Sequence, residues 1–411
     1  MTFQKNVILL PLVALSLTAC QGEDPPSNPP AETNNSEPDM QAQEDAQPDM
    51  DTRTRLRVAT FNTSLFRDQA NGLSNQLEGA SPQADEVARI LARINPDVVL
   101  LNEFDWDVEG LGIARFQERF LEPAGLQPFD FVFIASSNTG LPSGFDLDQN
   151  GEVVTVPGSQ AYGNDSFGFG LFEGQYSFVV LSRFPITGTR EFKEFLWSDM
   201  PDSLLPRDYY GEASDALRLS SKNHVDVTVN VAGVPVHVLA SHPTPPSFDG
   251  PEDRNGRRNH DEIRLWLDYI NNETYLVDDA GTEGGLADEA FVILGDLNSD
   301  PKDGDSERGA LLGLLEHPKV QDPEPKSDGA VAKAEEDGRA NDSHEGDPAL
   351  DTADFSDNQV GNLRVDYVLP STHFEIIESG VFWPAGGGEG AELRQPSDHR
   401  LVWVDLYLDA P

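Results

Sequence analysis

The stretch from Phe291 to Asp300, FVILGDLNSD, constrains this chain more than any other. Phe291, Val292, Ile293 and Leu294 are consecutive apolar residues, mostly β-branched or aromatic, and read as a strand buried on both faces. The strand stops where Gly295 admits Asp296, Leu297 and Asn298. A carboxylate and a carboxamide thus stand at a strand's C-terminal end, where a rigid element fixes them and the following loop leaves room for a ligand. A Gly-Asp-x-Asn turn closed by its own Asx hydrogen bonds explains the same residues without chemistry. The other strand ends decide between these readings.

Several of them are polar in the same way. Arg57 to Asn62 is a strand ending in a carboxamide. Ser81 as N-cap and Pro82 at the first helical position announce a helix with Val87, Ile90, Leu91 and Ile94 on one face. Asn95-Pro96 ends it, and Asp97 to Glu103 is a second buried strand, closing on an acid. Phe131–Ser137 and Tyr176–Ile186 read as further strands. Residues 224–231 alternate polar and apolar and turn at Ala232-Gly233 into Val236–His242, a hairpin expected to have one buried and one wetter face. His242 lies at its end, before Pro243 and Pro245-Pro246, which stiffen the loop. The basic run Arg254–His260 leads into a helix with core face Ile263, Trp266, Leu267 and Ile270. In that run Arg257 and Arg258 either hold a phosphate or pair with nearby acids. Leu363–Leu369 is a strand carrying Asp366, and Ser397-Asp398-His399 precedes a last strand, Leu401–Leu406. An Asp and a His at that entry, with an inward Asp on a neighbouring strand, make an oriented imidazole.

The chain's 72 acidic residues against 28 basic ones give a net charge of -44. That excludes a broad basic footprint for nucleic acid, though not a small cationic or metal-filled site. Residues 1–20 read as a targeting segment, with Lys5 in a positive n-region, an apolar Val7–Leu17 and a closing Leu17-Thr18-Ala19-Cys20. That closing motif resembles the lipobox of bacterial lipoproteins and marks Cys20, the single cysteine, for lipidation. Gln21 in place of an Asp leans towards the outer membrane or cell surface. Residues 21–52, acidic and rich in proline, form a disordered tether. The stretches 138–174 and 300–357 read as long insertions in a domain spanning 53–411. In the first, Asp146, Asp148 and Asn150 have the opening spacing of a calcium loop, but Pro157 stands where the bidentate Glu belongs, so a calcium-stapled loop and a plain turn both stay open.

Taken in order, Phe61-Asn62, Asn102-Glu103, Ser241-His242, Gly295-Asp296-Leu297-Asn298, Val365-Asp366-Tyr367 and Ser397-Asp398-His399 resemble the endonuclease/exonuclease/phosphatase superfamily, which includes deoxyribonuclease I-like nucleases, inositol-polyphosphate phosphatases and neutral sphingomyelinases. The resemblance implies an α/β (α+β) chain folded as a four-layer αββα sandwich, with two mixed β-sheets packed face to face. It implies a metal-dependent phosphoesterase that hydrolyses phosphodiester or phosphomonoester bonds by attack of an activated water. Glu103 is then the principal ligand of Mg2+ or Mn2+, with Asn62 and Asp398 beside it, and Ca2+ is the alternative ion, catalytic or structural. Asp296 deprotonates or orients the water, Asn298 positions water or phosphate, and His399, oriented by Asp366, faces the phosphate with His242. The roles of Asp296 and His399 are interchangeable at this level. Arg257 or Arg258 contacts substrate. The expected protein is an exported monomer in the cell envelope, held to the membrane by a lipid on Cys20, with a phosphate ester as substrate. The alternatives are a non-specific nuclease, for which nucleic acid is substrate only, a sphingomyelinase-like phospholipase, and a catalytically silent calcium-dependent surface binding module.

Overall fold

In the computed structural model of this protein, residues 53–408 are described apart from Glu389 and Arg394. The targeting segment, Cys20 and the tether lie outside the described residues. Among the described residues thirteen strands run in chain order: β1 (Thr54–Leu65), β2 (Val98–Phe104), β3 (Phe131–Ile134), β4 (Phe178–Ser182), β5 (Ile186–Glu191), β6 (His224–Val231), β7 (Val234–Ser241), β8 (Ala290–Asp296), β9 (Ala353–Asp354), β10 (Asn362–Leu363), β11 (Asp366–Pro370), β12 (Phe374–Val381) and β13 (Val402–Leu408). They form a six-stranded sheet ordered β12-β13-β1-β2-β4-β3, a five-stranded sheet ordered β11-β8-β7-β6-β5, and a small β10-β9 ladder. Each large sheet is mixed, with a single parallel pair: β1 with β2 in one and β7 with β8 in the other. Each parallel pair is bridged by a helix, Pro82–Ile94 or Arg254–Ile270, as a parallel connection requires.

Strand alternation builds the layers. Val58, Leu100 and Val404 of the first sheet meet Val227, Val238 and Val292 of the second in a shared apolar centre. The opposite faces carry Ala59, Phe61, Val99 and Leu101 against Val87, Ile90, Leu91 and Ile94 of the first helix. On the far side, Leu239, Phe291 and Ile293 pack against Ile263, Trp266 and Ile270. The four-layer sandwich follows, with the central strands of each sheet buried on both faces. Ser81 accepts the Ala84 N–H into its side chain, with Pro82 next in line, as its sequence position predicts; such a cap stabilises by about 1 kcal/mol.

The local readings need four corrections. Tyr176–Ile186 is not one strand: Ser182 Oγ accepts the Phe184 N–H at 2.9 Å, the chain turns at Pro185, and β4 and β5 belong to different sheets. The strand begun at Phe131 stops at Ile134. The hairpin has no wet face at its base, because the helix Arg254–Ile270 covers it and His224 and Asp226 are buried with partners. Leu363–Leu369 breaks at Arg364 and Val365, whose N–H groups go to Asp300 and Thr352 side chains rather than to a ladder.

Candidate active site

Pairing direction gathers the polar strand ends at one edge. β1 and β2 run parallel with Asn62 opposite Asn102, so Glu103 follows immediately. Ala240 of β7 is opposite Leu294 of β8, which brings His242 and Asp296 out of the second sheet together. β11 is antiparallel to β8 and starts where β8 ends, with Asp366 opposite Asp296. β13 starts from the same edge, just after His399. Asn102 joins the two sheets directly, its Nδ2 donating to the Ser241 carbonyl at 3.4 Å. Gly295 makes the approach of β8 to β7 feasible: its φ is +155°, and a Cβ there would lie 2.1 Å from the Ser241 carbonyl oxygen. Glu103 and Asn298 adopt left-handed backbone, φ 55° and 51°, a conformation that costs energy and clusters at functional sites.

Asp296 is the centre of the set. Its Oδ2 accepts from Asn62 Nδ2 at 3.0 Å and faces the Nε2 atoms of His242 and His399 at 3.4 and 3.6 Å. Its Oδ1 accepts the Asn298 N–H at 2.9 Å. Behind His399, Nδ1 donates to Asp366 Oδ2 at 2.8 Å, and Thr352 Oγ1 donates to the same oxygen at 2.8 Å. The Phe355 ring meets the His399 ring edge-on, 5.3 Å between centroids. Asn298 Nδ2 is anchored on the Pro243 carbonyl at 3.0 Å.

The electrostatics assign charge states. Burial pushes the Asp296 carboxyl up, but the His399 imidazolium and the hydrogen bonds from His242 and Asn62 outweigh it and hold Asp296 ionised, well below the usual carboxylate range. Burial alone would lower His399, yet Asp366 and Asp296 more than reverse this and keep the ring protonated. His242 is the opposite case: burial, helped by the Lys222 charge, lowers it to about 4, so it is neutral. Burial raises Glu103 to about 7; Asp296 and Asp398 add to this, while His399 and the Asn62 amide oppose it.

Eight of the residues singled out in the sequence, Asn62, Glu103, His242, Asp296, Asn298, Asp366, Asp398 and His399, are brought together here. Six line or floor one cleft of about 1100 Å3, with Asn62 and Asp366 directly behind Asp296 and His399. Asp398 lies by Ser64, whose Oγ donates to its Oδ1 at 3.3 Å. Arg257 is exposed and outside the cleft lining. Arg258 is in the wall, but its guanidinium donates to the Leu219 and Arg218 carbonyls at 2.8 and 2.9 Å, which neither the phosphate nor the acid-pairing reading foresaw. In the Asp146 loop, the Asp146 carboxylate accepts the Asn150 and Gly151 N–H groups. Asp148 accepts from Asn150 and Asn164, and the side-chain oxygen of Asn150 takes the Glu152 N–H. Asp165 completes a cluster with Asp146 and Asp148 whose candidate ligand atoms lie within 4.8 Å of one another.

Four participants escaped the sequence reading. Lys222 is a buried ammonium in the cleft wall, lowered by burial against the opposing pull of Glu262, Glu103 and Asp296. Glu262 accepts the Thr244 N–H at 2.7 Å and the Ser221 hydroxyl at 2.9 Å, shaping the loop after His242. Asn259 Nδ2 reaches the Thr244 and Leu297 carbonyls at 2.8 and 2.9 Å. Thr352 comes from the 300–357 insertion. Of these, Asn259 alone carried a signal, as an amide inside the basic run.

A sandwich of two mixed sheets, with an ionised carboxylate, a charged histidine and a neutral one converging at their common edge, defines a hydrolase of the nuclease and phosphatase type. The chain belongs to the Endonuclease/Exonuclease/phosphatase family, whose model matches residues 59–399. An endonuclease/exonuclease/phosphatase from Beutenbergia cavernae shares the fold, with a TM-score of 0.50 and 22% identity over 87% of this chain and 72% of that one. Family proteins from Leptotrichia buccalis (16% identity, 85% and 98% covered, TM-score 0.46) and Bacteroides thetaiotaomicron (14%, 87% and 99%, 0.46) are also similar. No curated protein matches the chain.

Proposed function

We propose that this protein is a divalent-metal-dependent phosphoesterase acting on small phosphate esters by attack of an activated water. The observation that carries this is the convergence of Asn62, His242 and His399 on Asp296 Oδ2. Asp296, ionised and fixed on four sides, orients the attacking water and takes its proton. His399, held charged by Asp366, faces the phosphate, stabilises its growing negative charge and returns a proton to the leaving oxygen. His242 remains neutral and presents Nε2–H, while Lys222 adds fixed positive charge from the wall.

The acid set fits a hard cation. The Glu103 carboxyl is raised to about 7, close to Asp296 and Asp398, and pairs with no Lys or Arg among the described residues, which is the surplus of oxygen charge that Mg2+ or Mn2+ satisfies. Glu103 would hold the ion, with Asn62 and Asp398 beside it. Bound there, it supplies Lewis-acid polarisation of the phosphoryl group.

Charge supports a small ester over a polymeric nucleic acid. Beyond Lys222, the cations lining the cleft are Arg254, engaged with Glu252, and Arg258, engaged with carbonyls. The rim carries exposed Phe169 and Phe248, suited to an apolar group on the ester. A silent binding module would not need Asp296, Asp366 and His399 in this arrangement. The test is turnover of bis-p-nitrophenyl phosphate and p-nitrophenyl phosphate with and without Mg2+ or Mn2+, against Glu103→Ala and His399→Ala. Metal-dependent turnover lost in both variants is expected, and the better ester distinguishes diesterase from monoesterase. Silence on both esters, on plasmid DNA and on sphingomyelin would refute the reading.

Export and a lipid on Cys20 belong to the same proposal and rest on the sequence of residues 1–20. Among the described residues no helix is long and apolar enough to cross a membrane. Mass spectrometry of the membrane fraction should find a lipidated N-terminal Cys20, and an unmodified Met1 would end this part of the proposal.

A further inference from the structure

The strand order of the second sheet sets the order of groups along the cleft. At the edge where the site lies, β11 begins, β8 and β7 end, and β6 begins, with Asp366 opposite Asp296 and His224 opposite Ser241. Asp296, the last residue of β8, therefore has Asp366 and the His399 it holds on one flank. On the other flank come His242, just past β7, and then Lys222, just before β6. These four neighbouring strand ends span about 14 Å, so the reacting centre stands inside a row of groups and not at its end.

Each flank continues into an apolar wall of the same cleft. On the β11 side stand Phe355, edge-on to His399, with Val360 and Leu363. On the Lys222 side the 138–174 insertion is stitched to the chain: the Asn138 N–H bonds the Lys222 carbonyl at 2.9 Å, and the Gly168 N–H bonds the Asn138 carbonyl at 3.1 Å. A Cβ on Gly168 would lie 1.8 Å from the Ser221 carbonyl oxygen, so only glycine allows this approach, and the next residue, Phe169, is delivered to the cleft 47% exposed. Leu217 and Tyr210 line the cleft too. Trp197 ties these two together, its N–H on the Leu217 carbonyl at 2.9 Å and its ring 6.4 Å from that of Tyr210.

We propose that the substrate is a phosphodiester whose bulkier, apolar group lies against Phe169, Tyr210 and Leu217 while its second group lies on the Phe355 side, an inference that rests on the phosphoesterase reading. A phosphorus held mid-cleft between two apolar walls has room for an organic group on each side, and a monoester would leave one wall empty. Charge agrees. A monoester carries nearly two negative charges at neutral pH and a diester one. Among the described residues lining the cleft, Arg254 is engaged with Glu252 and Arg258 with backbone carbonyls, so no guanidinium fork is left to clamp the terminal oxygens of a monoester. In the reaction the oxygen of water bonds phosphorus and the bond from phosphorus to one ester oxygen breaks. One water proton ends on that departing oxygen, and an alcohol and a monoester monoanion are released.

The test uses the full-length chain with Mg2+ or Mn2+ and three substrates that share one leaving group: p-nitrophenyl phosphate, its methyl diester and its phenyl diester. Release of p-nitrophenol should give a kcat/KM that rises in that order, with the phenyl diester ahead of the methyl diester by about tenfold. Phe169→Ser, a change on an exposed ring, should lower the phenyl-to-methyl ratio about fivefold. A preference for the monoester would overturn the proposal, as would equal rates on the two diesters. A Phe169→Ser variant that slows both diesters alike and keeps their ratio would also overturn it, since damage to the fold does that and loss of a subsite does not. Turnover without these preferences refutes this inference alone, whereas silence on all three substrates would bring it down together with the phosphoesterase reading.

Discussion

Thr352 and Asp366 bond each other in both directions. The threonine hydroxyl donates to Asp366 Oδ2 at 2.8 Å, and the same oxygen atom of Thr352 accepts the Asp366 backbone N–H at 3.0 Å. It also accepts the Val365 N–H at 3.0 Å. One hydroxyl therefore holds the carboxylate that orients His399 and caps the break before β11. Thr352→Val should lower kcat about 10- to 100-fold with little change in KM, and Thr352→Ser should restore most of it, as expected of a group acting through His399. Steady-state kinetics on the three proteins check this.

Asp296→Asn should lower kcat by about 10³-fold while leaving the fold intact. It also removes one of the three carboxylates, Asp366, Asp296 and Asp398, that keep His399 protonated, so the imidazole pKa should fall, and NMR titration of the ring reads that shift directly. An unchanged His399 titration would show that Asp366 and Asp398 set the ring's charge without Asp296.

Lys222→Met keeps an unbranched side chain, one heavy atom shorter, and removes the charge. Because burial already penalises the ammonium, Tm should hold or rise. Meanwhile kcat/KM on a phosphate ester should fall about 100-fold if Lys222 faces the developing charge. A parallel loss of stability and activity would mean that the lysine serves the fold.

Gly295→Ala places a methyl group 2.1 Å from the Ser241 carbonyl. Either β7 and β8 separate or the backbone distorts, at a cost of about 3 kcal/mol. Differential scanning calorimetry should show a Tm lower by several degrees, and activity should fall with it.

Away from the cleft, His237 Nδ1 lies 2.7 Å from Asp226 Oδ2, which also accepts the Tyr269 hydroxyl at 2.7 Å. Burial alone would lower the imidazole, but Asp226 more than offsets it, leaving the pKa above the ordinary value of 6.5. The folded state therefore binds the proton more tightly than the unfolded chain. Its contribution to stability is complete below the unfolded value of about 6.5 and is lost as pH rises through the folded value. The Tm gap between wild type and His237→Gln should accordingly be widest near pH 6 and close towards pH 9.

Most of the candidate site was legible because Asn62, Glu103, His242 and Asp296 each close an apolar run, while Asp398 and His399 stand just before one. The sandwich followed from the order of those runs. The rest depends on what lies across the fold. The polar alternation of His224, Asp226 and Thr228 reads as a wet face until a helix is laid over it. The passage from β4 to β5 is apolar on both sides of Pro185, so the chain gives no local sign that it changes sheets. Lys222 and Glu262 are ordinary charged residues in sequence and become site residues only when burial brings them to the His242 loop. Thr352 stood inside an insertion that reads as rim, and its role appears only once β9 pairs with β10.

Asn102 donates across the gap between the sheets to the Ser241 carbonyl, and that seam has a consequence for how the protein comes alive. Glu103 is supplied by one half of the molecule and Asp296 by the other, so under the proposed function neither half would have any chemistry of its own. Turnover would then report docking of the halves rather than formation of either. During folding, a chain with one half built and the other still loose would be enzymatically mute, and activity should appear in a single late step, after most of the secondary structure has formed.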